Sequence, residues 1–112
     1  MPERQWFCEL AVLSDPGSKG GTLLHEGGEL EVLLVRRGDE VFAYQNWCPH
    51  TGVNLEWQPD QFLDLTNRYI QCATHGALFR LTDGFCLRGP CAGRSLKPLR
   101  AVIEAGQVFI ET

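Results

Sequence analysis

Thr22-Leu23-Leu24-His25-Glu26-Gly27-Gly28-Glu29-Leu30-Glu31-Val32-Leu33-Leu34-Val35-Arg36-Arg37 is the stretch that decides the fold. Residues 22–25 and 31–37 are strand-length apolar segments around Gly27-Gly28, and glycine supplies the positive φ that a tight hairpin needs. Working outward, short apolar segments recur, each closed by turn residues. Residues 6–12 end at Ser14-Asp15-Pro16-Gly17, and Gly38-Asp39 leads into 41–45. Further segments at 69–71, 77–81 (before Asp83-Gly84), 99–104 and 108–111 (after Gly106) complete the series. Nothing repeats apolar residues at three- and four-residue spacing, so no long helix is expected; a short helical turn within 56–65 is the most that the pattern allows. The expectation is an all-β chain, an antiparallel sandwich or barrel, with neither an internal repeat nor a linker.

The 112 residues suffice for one domain and one core. Composition is that of an ordinary globular protein, 44% hydrophobic and 21% charged, which excludes disorder as the main account. A net charge of −4 with scattered basic residues excludes a nucleic-acid binder. No run approaches the roughly 18 apolar residues of a membrane span; the longest, Val32 to Val35, is strand-sized. The first residues have no apolar signal-peptide region, so a cytoplasmic, reducing location is expected. There the five cysteines (8, 48, 72, 86 and 91) read as metal ligands or free thiols before disulfides, and their odd number forbids complete pairing.

Two segments interrupt the strand pattern, and each pairs a cysteine with a histidine. They are Cys48-Pro49-His50-Thr51-Gly52 and Cys72-Ala73-Thr74-His75-Gly76, with 21 residues between His50 and Cys72. Thiolate and imidazole donors suit zinc, copper and iron–sulfur chemistry. Two such loops side by side at the tips of two hairpins would close a four-donor site.

With these motifs, and with Ala77-Leu78-Phe79, Asp83-Gly84 and Gly89-Pro90, the sequence resembles the Rieske-type [2Fe–2S] ferredoxin family over nearly its whole length. The resemblance implies a single domain, 1–112, in which a cluster-binding subdomain at about 46–92 is inserted in a base of antiparallel strands. It implies one [2Fe–2S] cluster per chain, with Cys48 and Cys72 on one iron and His50 and His75 on the other. Thr51, Gly52, Thr74, Gly76, Ala77, Phe79 and Pro90 would lie around these ligands, Gly89-Pro90 as a flap over the cluster. The segment 56–67 is longer than in many of these ferredoxins, which extends a surface loop.

Two thiolates bring two ferric ions and two sulfides to zero charge, where four would leave −2, and the neutral site accepts an electron more easily. High-potential members of the family carry Ser and Tyr where this chain has Ala77 and Phe79, whose side chains donate no hydrogen bond. The cysteines that form a loop disulfide in respiratory members would fall at Val53 and Thr74. A low-potential carrier is therefore expected, passing electrons from a reductase to an oxygenase or other oxidoreductase, as a monomer or in transient complexes. It lacks a glycine fingerprint for a dinucleotide and a second metal set, so it is not expected to be an enzyme itself. The alternative is a small Rieske-like subunit of a larger oxidoreductase such as nitrite reductase. A remote one is a structural zinc module.

The remaining candidates each have a plain reading. His25 is expected on the surface and Cys8 as a buried structural thiol. Cys86 and Cys91, flanking the flap, are either ordinary thiols or a bridging, redox-sensitive pair. Trp57 and Phe62 are either a satellite core under the long loop or a docking patch. Asp60 and Asp64 read as a solvated face or as groups that steer a basic partner.

Overall fold

The computed structural model describes residues 4–49, 54–56, 58, 60–73 and 76–111. Nine strands follow in order: β1 (Arg4–Glu9), β2 (Gly17–His25), β3 (Gly28–Arg37), β4 (Glu40–Gln45), β5 (Tyr69–Gln71), β6 (Leu78–Arg80), β7 (Cys86–Arg88), β8 (Pro98–Glu104) and β9 (Gln107–Glu111). Leu10–Val12 form a single 3-10 turn after β1. No helix among the described residues is long and apolar enough to cross a membrane.

Local chemistry sets the hairpins. Glu26 and Gly27, between β2 and β3, both take positive φ (50° and 77°), as a two-residue type I′ connection demands. Ala105-Gly106 does the same between β8 and β9. All pairing is antiparallel. One sheet has six strands in the order β1-β9-β8-β4-β3-β2, and a second has three, β5-β6-β7, drawn from the chain between β4 and β8.

The six-stranded sheet curls until its edge strands nearly meet. The Gln5 side chain bridges the gap, its Nε2 donating to the Leu24 carbonyl (2.6 Å) and its Oε1 accepting from the Leu24 N–H (3.3 Å). At the same seam the Phe7 ring lies over Gly21, where any Cβ would stand 2.7 Å from Cε1 of the ring. A bulge between Trp6 and Cys8 turns both Phe7 and Cys8 inward.

The near-barrel has its own core of Phe7, Cys8, Leu13, Leu23, Val32, Leu34, Ala43, Val108 and Ile110. A second core lies outside it, between the barrel wall and the three-stranded sheet. There Leu33, Val35 and Tyr44 meet Leu55, Phe62, Ile70, Phe79, Leu81, Leu96 and four cysteines. Strand β3 is thus buried on both faces. Fully burying each of Val32, Leu33, Leu34 and Val35 is worth about 1.5–3 kcal/mol.

Three expectations change. β2 begins at Gly17, because Gly17 to Gly21 pair with β3 although they read as a loop. The 3-10 turn removes Leu10–Val12 from the first strand. The helical turn within 56–65 is absent among the described residues: Gln58 bridges Gln61, Leu63 bridges Ile70, and Asp60 has a φ of 63°, which no right-handed helix contains.

Candidate metal centre

Cys48 and Cys72 follow strands β4 and β5. Both thiols are buried in the second core, at 1% and 0% exposure. His50, Thr51, Gly52, Thr74 and His75, like Trp57, lie outside the described residues.

The first loop is positioned by Asn46, a buried polar side chain two residues before Cys48. Its backbone N–H donates to the Glu31 carbonyl (2.8 Å), so the chain is still held by β3. Its Oδ1 accepts the buried Leu55 N–H (2.7 Å), and its Nδ2 donates to Glu56 Oε2 (3.2 Å). One amide side chain therefore satisfies a backbone donor that would otherwise be orphaned, and ties both ends of the loop together.

The second loop closes on itself. The Gly76 N–H donates to the Cys72 carbonyl (2.9 Å) and the Cys72 N–H to the Ala77 carbonyl (2.9 Å), with Gly76 at a φ of 67°. The Ala73 N–H donates to the Leu55 carbonyl (3.0 Å), which links this loop to the segment leaving the first.

A third segment, 86–94, crosses over both. Gly89 packs so closely on the second loop that a Cβ there would be 2.8 Å from Ala77 Cα. On the other side Arg94 Nη1 donates to the Pro49 carbonyl (3.0 Å). Pro90, between them, is exposed, while Ala77 and Phe79 are buried. The Cys86 and Cys91 sulfurs stand 2.8 Å apart as free thiols. Burial, and then the neighbouring Cys86, push the Cys91 thiol up to about 12.

Tyr44 joins barrel to site. Its hydroxyl donates to the Leu81 carbonyl (2.6 Å), and burial, with the Asp83 charge behind it, raises its pKa above the ordinary phenol range. Its ring fills the space beside Gly84, where a Cβ would be 2.8 Å away. Asp83 is itself held down to about 2 by its hydrogen bond from Arg80 and by the Phe85 N–H.

The other candidates fall into place. His25 is exposed beside Glu26, and Cys8 is buried, where desolvation raises its pKa. Phe62 is fully buried in the core that holds Cys48 and Cys72, so it is neither a docking group nor a separate satellite. Asp60 and Asp64 are not merely a solvated face. Asp60 Oδ1 accepts the Gly20 N–H (2.8 Å) and its carbonyl accepts the Ser18 hydroxyl (2.6 Å), pinning the long loop to β2. Asp64 accepts from the Thr66 hydroxyl and the Arg68 and Tyr69 N–H groups, closing the turn into β5. Sequence reasoning missed Asn46, Tyr44 and Arg94 as positioning residues. The one available signal was a polar Asn directly after an apolar strand.

The donors fit an iron–sulfur group: soft thiolates brought into a water-poor core by loops whose backbone is already hydrogen-bonded. A family model described as Rieske [2Fe–2S] domain matches residues 5–104. The "Cytochrome b6-f complex iron-sulfur subunit" of Chlorobaculum thiosulfatiphilum is 31% identical over 91 residues, 81% of this chain. The chain spans about half of that relative's length (46%). Among solved structures, the ferredoxin of carbazole 1,9a-dioxygenase from Nocardioides aromaticivorans IC177 superposes with a TM-score of 0.74 at 21% identity, covering 96% of this chain and 95% of that one. A complex of reduced oxygenase and oxidized ferredoxin in carbazole 1,9a-dioxygenase contains a chain with a TM-score of 0.75 at 18% identity, covering 96% and 92%.

Replacing Asn46 by Ala leaves the Leu55 N–H buried without a partner, which costs about 1–3 kcal/mol. Urea unfolding of the intact protein measures it. A loss below about 0.5 kcal/mol, the size of an ordinary surface substitution, would show that Asn46 does not position the loop.

Proposed function

We propose a function from one premise: the chain belongs to the Rieske [2Fe–2S] domain family, whose cofactor is one [2Fe–2S] cluster per chain. It is a one-electron carrier and not itself a catalyst. When bound, the cluster supplies reversible uptake of a single electron. Cys48, His50, Cys72 and His75 hold it. The observation that carries this reading is the burial of Cys48 and Cys72 in one apolar core beneath the 86–94 segment. The ligand loops and their cover form the subdomain at about 46–92 within the base domain of residues 1–112, and the protein acts in the cytoplasm.

The carrier works at low potential. Ala77 and Phe79 are both buried beside the ligand loops and neither side chain can donate a hydrogen bond to a sulfur. Such bonds set where in the range of about −150 to +300 mV a Rieske site falls.

Its partners are a reductase and an oxygenase or related acceptor, met in transient complexes. The face they meet is built from what surrounds the ligand loops. Trp47, next to Cys48, is exposed beside a shallow hollow of about 290 Å³ lined by Gln45, Pro49, Ser95 and Lys97. Residues 46–97 carry five basic and four acidic side chains, whereas the rest of the chain carries five basic and ten acidic ones. Arg88, Arg94 and Lys97 have no carboxylate partner among the described residues. A basic rim around an aromatic anchor suits a partner with an acidic rim. A second reading, a stable subunit of a larger complex, is favoured by the likeness to a complex subunit. Co-purification with a catalytic partner from its own cells separates the two.

The visible spectrum of the purified protein, before and after dithionite, with iron and zinc counted, tests the premise of electron transfer. A red-brown protein with two irons that bleaches on reduction is expected; a colourless one carrying zinc would overturn it. Voltammetry should place the midpoint in the lower third of the range, below about 0 mV. Ala77→Ser should raise it by up to about 60 mV, the equivalent of about 1.4 kcal/mol for one electron. A native midpoint well above zero, or no rise in the variant, would overturn the low-potential reading. Lys97→Glu should slow electron exchange with the partner and weaken its dependence on salt. A rate indifferent to both the substitution and ionic strength would place docking elsewhere.

A further inference from the structure

The chain holds two cysteines that the proposed ligand set does not use and that lie together. Cys86 opens β7 and Cys91 lies in the turn after it, and their sulfurs are 2.8 Å apart. The backbone between them is already folded for a link. The Cys86 N–H donates to the Arg94 carbonyl (2.7 Å), the Gly93 N–H to the Cys86 carbonyl (3.3 Å), and the Ala92 N–H to the Gly89 carbonyl (3.1 Å). The sulfurs stand within about 1 Å of the roughly 2.0 Å separation of a disulfide.

We propose that Cys86 and Cys91 are a redox modification site, a dithiol that peroxide converts to a disulfide stapling the 86–94 segment across both ligand loops. Both thiols are buried, while residues 87–90 between them are exposed. Burial selects a water-sized oxidant such as hydrogen peroxide over a bulky disulfide. The balance is two thiols and one peroxide to one disulfide and two waters. One thiol is oxidised to a sulfenic acid, releasing the first water as the O–O bond breaks. The second thiol displaces the hydroxyl as the second water, and the S–S bond forms. Two electrons pass from the sulfurs to the peroxide oxygens, and both thiol protons end in water. Reduction by a small thiol reverses the step, and closing so short a loop adds little entropic stabilisation to resist it.

The staple matters because of what the segment touches. Gly89 presses on Ala77 of the second loop, and Arg94 holds Pro49 of the first. Linking Cys86 to Cys91 removes the freedom of the turn between them to lift away, and so restrains the cover over both loops at once.

The test uses the intact protein with its bound metal. It is treated with equimolar hydrogen peroxide, or with oxidised glutathione in parallel, then alkylated in denaturant and digested with trypsin without reduction. Cleavage after Arg88 separates the two cysteines, so a link joins peptides 81–88 and 89–94 into one species two hydrogens lighter than their sum. The expected result is that linked species after peroxide, its loss on adding dithiothreitol, and no glutathione adduct. Hydrogen exchange at residues 87–90 should be several-fold slower in the oxidised protein, and peroxide should not change it in Cys91→Ser or Cys86→Ala. Separate sulfinic acids without a link, or a link with unchanged exchange, would overturn the proposal. The peptide map needs no variant to fold. It reads the link whether the metal proves to be iron or zinc, so its failure is distinct from failure of the electron-carrier reading.

Discussion

Everything in the molecule depends on one strand being buried on both sides. Val32 and Leu34 point into the near-barrel while Leu33 and Val35 point into the second core, and all four are inaccessible to water. A strand with only one apolar face would support a barrel and leave its outside wet. Because β3 is apolar on both faces, the segments that carry Cys48 and Cys72 gain a hydrophobic floor and need no second independent core, which a chain of 112 residues would struggle to supply. A one-residue slip of β3 against β2 or β4 would keep apolar residues facing both ways, so the run cannot set its own register. The two-residue turns at Glu26-Gly27 and Gly38-Asp39 do that instead.

Polar contacts then convert a greasy floor into a positioned site. Asn46 and Tyr44 leave the same strand region, and each reaches a backbone group of the ligand-bearing half: Leu55 N–H for Asn46 and the Leu81 carbonyl for Tyr44. Neither bond adds much net stability, about 0.5–1.5 kcal/mol as a rule. Their value lies in direction. Apolar packing alone tolerates sliding, whereas a buried donor has one place to go. Asp60 does the same from the other end, anchoring the long loop to β2 through Ser18 and Gly20.

The all-β class and most strands were legible in the sequence because turn glycines and β-branched runs are local signals. So was the pairing in space of the segments that carry Cys48 and Cys72, which one core holds together. What escaped depended on distant partners. The run Gly17 to Gly21 lies outside the strand read at 22–25, yet its bare backbone is what admits the Phe7 ring at Gly21 and the Phe62 ring near Gly20. Phe7 and Cys8 are adjacent and both buried, against strand alternation, because a bulge lies between Trp6 and Cys8. The acids at 60 and 64 looked like solvated charge, because nothing in sequence announces that a carboxylate will accept backbone N–H groups from a strand forty residues away or from its own turn. The strand order β1-β9-β8-β4-β3-β2 was likewise beyond reach, since it joins the two ends of the chain.

The depth of the site bears on why the proposed set of two thiolates and two imidazoles would suit it. Cys48 and Cys72 sit among Leu55, Phe62, Ile70 and Phe79, surroundings in which net charge is expensive. Four thiolates around two ferric ions and two sulfides would place two negative charges in that core before any electron arrived, and a third after. The proposed mixed set would start neutral and end at a single negative charge. Two cations beside the first loop, Arg94 on the Pro49 carbonyl and Lys97 beside Trp47, would help to offset that single charge from the rim. An apolar pocket, the neutral resting state that the proposed ligands would give and a basic rim would all answer one requirement: to hold the charge of one electron.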